Sequence, residues 1–372
     1  MTHTIDTVAL PATSPGTCRQ IRFHRFKGGS GPRVYVQAAL HANETPGLVI
    51  LHHLLAAVIE ADRKGEIQGE IVLVPYANPI GLSDNVLGNQ IGREALDGGG
   101  NYNRGWPDLG QLAVSRLAGR LGDDQMANQV LIRAEIAALL AALPRPNEVV
   151  AMQLALLSEA SRADIVLDVH TELVAVPGMV VGPWSMTRMQ ALVDRVAPDV
   201  VHVTDTPLLF DSASSRIWHT IAEAYPEAAI GQPCVSATLE LRGVTDVSDE
   251  LAGGDAAAIM DFLRDSGVIT SPAPAATPWP GTLSPHKAIL MQRTPVGGVI
   301  VYRQPLGTRV AQGQHIADII DPAADDPEQG RTPLFAAREG LLYAYILNHL
   351  VRPNDIVVKI AGSDVWTPEA PE

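Results

Sequence analysis

The chain reads as an α/β domain followed by a smaller all-β module, and three observations say so. Up to about residue 265, short apolar runs of β type alternate with longer stretches of helical period. Residues 266–285, SGVITSPAPAATPWPGTLSP, interrupt that alternation with a run rich in Pro, Ala, Ser and Thr. Beyond them the pattern contracts to brief β segments separated by turn residues. The expected division is an α/β domain over residues 1–265 that opens with a β segment, a linker over 266–285, and an all-β domain over 286–372.

In the first domain the Val-, Ile- and Leu-rich runs predict strands at 33–40, 70–76, 164–169, 178–182, 199–203 and 235–241. Helical periodicity predicts helices at 47–63, 124–142, 149–162, 186–195, 214–224 and 249–265. Between 105 and 160 helical patterns follow one another, broken at Leu143-Pro144-Arg145-Pro146, which reads as a helical excursion able to border a site. In the second domain, β segments are expected at 287–292, 298–302, 308–311, 315–320, 333–336, 340–346 and 355–360. Two stretches, opening at Gly298 and Gly340, repeat loosely, each as strand, turn, strand.

Composition sets the bounds. With 372 residues and 46% hydrophobic content, the chain can bury a large core. Its net charge of −14 and the lack of a Lys/Arg stripe argue against a nucleic-acid partner. The two cysteines, Cys18 and Cys234, have neither thiolate-zinc nor redox-pair spacing and read as reduced. The N-terminal residues lack the basic and apolar regions of a secretory signal, and no run of about 18 apolar residues occurs, so a cytoplasmic protein with no membrane partner is expected. Homo-oligomerisation stays open.

The chemistry concentrates in a split set of residues. His41 and Glu44 stand in LHANETPG and His170 in DIVLDVHTE, each histidine at the end of an apolar run. Open α/β sheets place their ligands at such strand ends. Two imidazoles and a carboxylate, with a fourth position for water, are the ligand set of a catalytic zinc, one per chain, whereas a structural zinc would recruit thiolates. His-x-x-Glu alone is common; here Pro46 and Gly47 followed by an amphipathic run put His41 and Glu44 in a strand-to-helix loop, where function is more frequent than packing. Asp168, two residues before His170, points the same way in an extended strand and is placed to hold the ring. Glu240 lies inside the apolar strand VSATLEL, where a carboxylate is costly to bury without a role. Arg93, among Gly88, Gly92 and Gly98–Gly100, reads by composition as a solvated loop arginine. The other histidines carry no defensible partner spacing, with His219 a reserve candidate.

Taken in order, HANETPG, Asn78-Pro79-Ile80-Gly81, Arg93, the run Gly100-Asn101-Tyr102-Asn103-Arg104-Gly105-Trp106, DVHT and Thr238-Leu239-Glu240-Leu241 resemble the succinylglutamate desuccinylase/aspartoacylase family, relatives of the zinc carboxypeptidases. The resemblance implies a mixed sheet flanked by helices. It also implies zinc on His41, Glu44 and His170, Glu240 as the base that activates water, Arg93 polarising the scissile carbonyl, and Asn103 with Arg104 holding the substrate carboxylate. The Asn-Pro-Ile-Gly-Leu and Asn-aromatic-Asn-Arg motifs look closer to the bacterial N-acetyl-diaminobutyrate deacetylase branch than to aspartoacylase. Each half of the β module resembles the hammerhead fold of biotinyl and lipoyl carriers, but the intervening DPAADDPEQGRTP contains no lysine, so a structural or site-covering module is expected.

The expected activity is a zinc-dependent hydrolase that removes an acyl group from an N-acylated amino acid or diamino acid, a small-molecule substrate; the alternative is carboxypeptidase-like hydrolysis of a short peptide or amide. Glu172, beside the metal strand, suggests in addition that a cationic substrate side chain is favoured.

Overall fold

The computed structural model describes residues 2–206, 209–285 and 287–364; His286 lies outside them. A nine-stranded sheet organises the first domain. Its strands in chain order are β1 (Thr4–Ala9), β2 (Gln20–Lys27), β3 (Arg33–Ala38), β4 (Glu70–Val74), β5 (Ile165–Glu172), β6 (Gly178–Val181), β7 (Val200–Val203), β8 (Val235–Gly243) and β9 (Thr282–Pro285). Across the sheet they lie in the order β1-β2-β4-β3-β5-β8-β6-β7-β9. The centre, β4-β3-β5-β8, is parallel, while β1, β2 and β6 introduce antiparallel pairs, which makes the sheet mixed.

Alternation along the central strands sorts the two faces. Val34, Val36 and Ala38 of β3 and Ile165, Leu167 and Val169 of β5 join one core with the helices α1 (Pro46–Arg63), α6 (Met186–Val196) and α8 (Asp249–Asp265). Tyr35 and Val166 join the other core, with α3 (Leu109–Leu117), α4 (Gln125–Ala142), α5 (Glu148–Ala160) and α7 (Phe210–Ala224). A sheet covered on both faces needs apolar residues at nearly every position, which is why β3 and β5 read as continuous hydrophobic runs. The helical excursion holds α3, α4 and α5, and Pro144 and Pro146 fall between the last two. Helix α3 lies in the stretch that reads as helical but has no bounds of its own there, because its nine residues are shorter than the run over which a helical period separates from a strand. A one-turn α2 (Pro79–Leu82) follows β4, capped by the Asn78 side chain.

Residues Thr282–Pro285, within the stretch read as a linker, pair in parallel with β7 and close one edge of the large sheet. The extended backbone that a Pro-rich run favours is also what an edge strand requires.

The second domain contains β10 (Ile289–Arg293), β11 (Gly298–Tyr302), β12 (Arg309–Val310), β13 (His315–Ile320), β14 (Arg331–Phe335), β15 (Gly340–Tyr345), β16 (Leu350–Val351) and β17 (Ile356–Ala361). The repeat seen in sequence has a backbone basis. Gly298 and Gly340 adopt φ of 153° and 154°, and a Cβ there would lie 2.5 Å from the Ile320 carbonyl oxygen and 2.4 Å from that of Ala361. The turn leading into the last strand of each repeat carries a left-handed residue, Gly313 at φ 78° and Asn354 at φ 73°.

The two domains are joined by more than the chain. Val174–Ala175, two residues beyond β5, pair antiparallel with Tyr345 and Ala344 of β15. The first domain therefore contributes a strand to a sheet of the second immediately after the segment that carries His170.

Candidate active site

Backbone turns at the strand ends aim the site residues. After β3 the chain turns through Ala39, a buried non-glycine residue at φ 57°, and delivers His41; Glu44 follows within hydrogen-bonded reach, its N–H donating to the His41 carbonyl at 3.0 Å. A left-handed alanine is costly away from functional sites. Pro46 then starts α1. In β5, Asp168 and His170 share the face opposite Leu167 and Val169. Glu240 of β8 sits beside His170 in register, and the pairing shifts immediately afterwards, with Arg242 at φ 70°. Three parallel strands thus release their chemistry from their C-terminal ends, in the crevice where open sheets bind ligands.

His41 Nδ1 lies 3.0 Å from Glu44 Oε1, and His170 Nδ1 lies 2.9 Å from Glu44 Oε2. All three side chains are buried, and one ligand atom from each falls within 4.8 Å of the others. The outer ring nitrogens are held from behind. His41 Nε2 is 2.9 Å from Asn101 Oδ1 and His170 Nε2 is 2.9 Å from Asp168 Oδ2. Asp168 in turn accepts from Gln37 Nε2 at 2.9 Å, and Gln37 Oε1 accepts from the Tyr35 hydroxyl at 2.8 Å. The expectation that Asp168 orients His170 is met by this geometry.

These contacts decide whether a metal fits. The Asn103 N–H donates to Asn101 Oδ1, which fixes that atom as an acceptor, so the proton on His41 sits on Nε2. Asp168 imposes the same tautomer on His170. Both Nδ1 lone pairs then face carboxylate oxygens of Glu44, an arrangement of acceptors against acceptors that a cation between them satisfies. Burial lowers the proton affinity of His41 and keeps its ring neutral, whereas at His170 burial is outweighed by Asp168 and Glu44, which raise it, so a proton and a metal ion compete for its Nδ1. Two imidazoles and a carboxylate so placed could hold a metal ion.

Arg93 reaches the cluster through a tight approach of two loops. Its Nη1 donates to Glu44 Oε1 at 2.8 Å. The preceding Gly92 accepts from the Ala42 N–H at 2.7 Å, and a Cβ on Gly92 would stand 2.3 Å from the Asn43 nitrogen. Only glycine permits that approach at φ 27°. Asn78 pins the same region, donating to the Leu40 carbonyl at 2.9 Å.

A cavity of about 250 Å³ opens beside the cluster, and Arg93, Arg104 and Glu240 all line it. Arg104 makes a hydrogen bond to the Asn103 carbonyl and has no carboxylate partner among the described residues. Burial and the neighbouring Arg93 charge lower its proton affinity, so two cations stand where an anion would relieve them. Asn103 lies behind the wall. Its Oδ1 accepts from Trp106 Nε1 at 3.1 Å and from the Phe210 N–H at 2.9 Å, which leaves only Nδ2 to donate outward. Burial, then the Glu172 charge, push the Glu240 carboxyl up to about 8, and it has no side-chain hydrogen-bond partner among the described residues.

Sequence reasoning missed the rest of the wall. His202 of β7 lines the cavity, and so do Ile289, Met291, Tyr343 and Lys359 from the second domain. Lys359 forms an ion pair with Glu172. Glu172 is thus already neutralised, which removes the reason for expecting a cationic substrate arm. The reserve candidate His219 stacks on Trp184 at 5.1 Å and is in neither the cluster nor the cavity wall.

Comparison with known proteins bears on this arrangement. Residues 30–120 match the family model of the succinylglutamate desuccinylase/aspartoacylase catalytic domain, a span that includes His41, Glu44, Arg93, Asn103 and Arg104. No curated protein sequence matches. Among solved structures, a succinylglutamate desuccinylase/aspartoacylase family protein from Shewanella amazonensis superposes with a TM-score of 0.86 at 22% identity, covering 96% of this chain and 98% of that one. A second from Shewanella frigidimarina gives 0.84 at 20% identity, with 97% of both chains covered. The ectoine utilization protein EutE (DoeB) of Ruegeria pomeroyi, solved with product bound, gives 0.67 at 16%, covering 96% of this chain and 94% of that one. At these identities the superpositions establish a shared fold, and residues 30–120 resemble the catalytic domain of the succinylglutamate desuccinylase/aspartoacylase family.

Proposed function

We propose that the protein is a zinc-dependent deacylase that hydrolyses the amide bond of an N-acylated amino acid. One observation carries the reading: the buried His41–Glu44–His170 set and Glu240 leave neighbouring strand ends on one face, beside a cavity that presents the Arg104 guanidinium. His41, Glu44 and His170 would hold a divalent cation, which when bound would supply Lewis acidity at this point. Arg104 receives the substrate carboxylate, with the remaining donor of Asn103 beside it. Arg93, fixed on Glu44, offers a charge-assisted hydrogen bond to the oxygen of the scissile carbonyl as negative charge develops there. Glu240 takes the proton of the attacking water and returns it to the leaving amine nitrogen. Its raised proton affinity suits the second transfer, and the charges of His170 and Lys359 favour the ionised form needed for the first.

The cavity, about 250 Å³, falls below the usual ~300–1,000 Å³ range of drug-sized pockets, which suits a single acylated amino acid better than a peptide. The test is amine release from N-acyl amino acids by the zinc-loaded protein. Hydrolysis that chelation abolishes is expected. Cleavage of peptides with a free C-terminus, together with inertness toward N-acyl amino acids, would establish the carboxypeptidase-like reaction instead.

A further inference from the structure

We infer that the substrate carries one carboxylate and that its remaining arm is uncharged and apolar, received in a pocket walled jointly by both domains. This rests on the deacylase reading above and narrows it.

The charges facing the cavity are few and mostly committed. Arg93 is held by Glu44, and Lys359 by Glu172. Glu240 must keep its carboxylate for proton transfer. Arg104 alone faces the cavity without a carboxylate partner among the described residues, and it accounts for one substrate carboxylate. A second carboxylate, whether on a dicarboxylic amino acid or a succinyl group, would need Lys359 as its cation, since the other donors on the wall, His202, Thr204 and Thr206, carry no permanent charge. Lys359 would then leave Glu172 unpaired beside Glu240, with two carboxylates facing each other. A cationic arm fares no better, since Glu172 already has its counter-ion.

Most of the remaining wall, among the described residues, is apolar. Val176, Met179, Val200 and Leu209 come from the first domain, and Ile289 and Tyr343 from the second. Met291 stands at the rim, 52% exposed. The polar exceptions Thr204 and Thr206 bond each other at 3.0 Å, beside His202. Such a surface gains from each methylene it covers, and one methylene in a hydrophobic pocket discriminates by roughly 10–200-fold.

The experiment compares kcat/KM of the full-length, metal-loaded protein for N-acetyl-L-methionine, N-acetyl-L-aspartate, N-succinyl-L-glutamate and Nα-acetyl-L-2,4-diaminobutyrate. The methionine derivative should lead each charged one by about tenfold or more. A charged compound turned over as fast or faster overturns the inference. Met291→Arg, at the exposed rim, adds an unpaired cation from the second domain and should raise the aspartate-to-methionine ratio about tenfold; an unchanged ratio removes that domain from the wall. If nothing is hydrolysed, the deacylase reading fails, yet calorimetric binding of the same four compounds still decides this point. Tighter binding of N-acetyl-L-methionine supports it, and equal or weaker binding sinks it.

Discussion

In the first domain His41, His170 and Glu240 leave the sheet toward strand ends, whereas in the second Met291 of β10, Tyr343 of β15 and Lys359 of β17 reach the site from mid-strand. A strand-end residue is aimed by its own backbone: Ala39 and the shift after Glu240 fix where His41 and Glu240 point, whatever else docks nearby. A mid-strand residue reaches the site only because a whole sheet is docked there. That docking is secured by Val174–Ala175 adding to the edge of β15. The candidate metal cluster and Glu240 therefore belong to one domain, while the cavity wall beside them is built by two.

The largest effect should come from breaking the local half. His170→Ala removes a ligand from the buried set and should reduce bound divalent metal from about one per chain to near zero, with hydrolysis lost. Elemental analysis and amine-release assays read both, and an alanine variant that keeps metal and activity would show that the cluster is not the centre. Metal-saturated wild-type protein should also melt at a higher temperature than the chelated form, by an amount that grows with metal concentration.

Next in size is Glu240→Gln, which keeps the shape and removes the base. Turnover should fall by roughly 10²–10⁴-fold while metal content stays unchanged. The structure already disfavours the other carboxylates as base, since Asp168 holds both His170 and Gln37 and Glu172 is paired with Lys359. The same substitution has a stability signature in the metal-free protein. Burial and Glu172 raise the folded-state value of Glu240 from 4.5 to about 8. The folded state thus binds this proton more tightly than the unfolded chain, so the stabilisation is complete below about 4.5 and is lost as pH rises through about 8. Glu240→Gln should therefore melt higher relative to wild type at pH 9 than at pH 5. A difference that does not change with pH would contradict the burial argument.

Asp168→Asn tests whether the support behind the ligand matters as the geometry implies. An amide can present its oxygen to His170 Nε2, but without the charge, and metal affinity should weaken roughly 10–100-fold. A metal titration that superimposes on wild type would reduce the Tyr35–Gln37–Asp168 chain to packing.

The same contrast explains what the sequence revealed. Strand ends such as DIVLDVH are visible because hydrophobic runs and their termination are local signals, and β3, β5 and β8 fell within a few residues of expectation. Arg93 read as a solvated loop residue because nothing in its neighbourhood shows that Gly92 lies against Asn43; the tight approach is the missing signal. Asn103 was visible through its motif, but not that its Oδ1 is spent on Trp106 and Phe210. The site contribution of the β domain was illegible. Lys359 in IVVKIA looks like an ordinary exposed position of an amphipathic strand, and its partner Glu172 lies in the other domain.

The smallest expected effect is the most direct test of that cross-domain contribution. Lys359 and Glu172 are each about one-fifth exposed, and a pair so placed contributes little net stability, on the order of 0–1 kcal/mol. Removing one partner is different from removing both. Lys359→Met leaves Glu172 uncompensated beside Glu240 and should cost stability on the order of 1–3 kcal/mol, with a drop in kcat/KM of about tenfold. Glu172→Gln leaves an ammonium that can reach solvent or Glu240, at less cost. In Lys359→Met/Glu172→Gln no charge is stranded, so the double variant should be closer to wild type in both melting temperature and kcat/KM than Lys359→Met alone. Full additivity of the two single effects would mean that the two domains touch at this point without coupling, and that the β domain covers the site without shaping it.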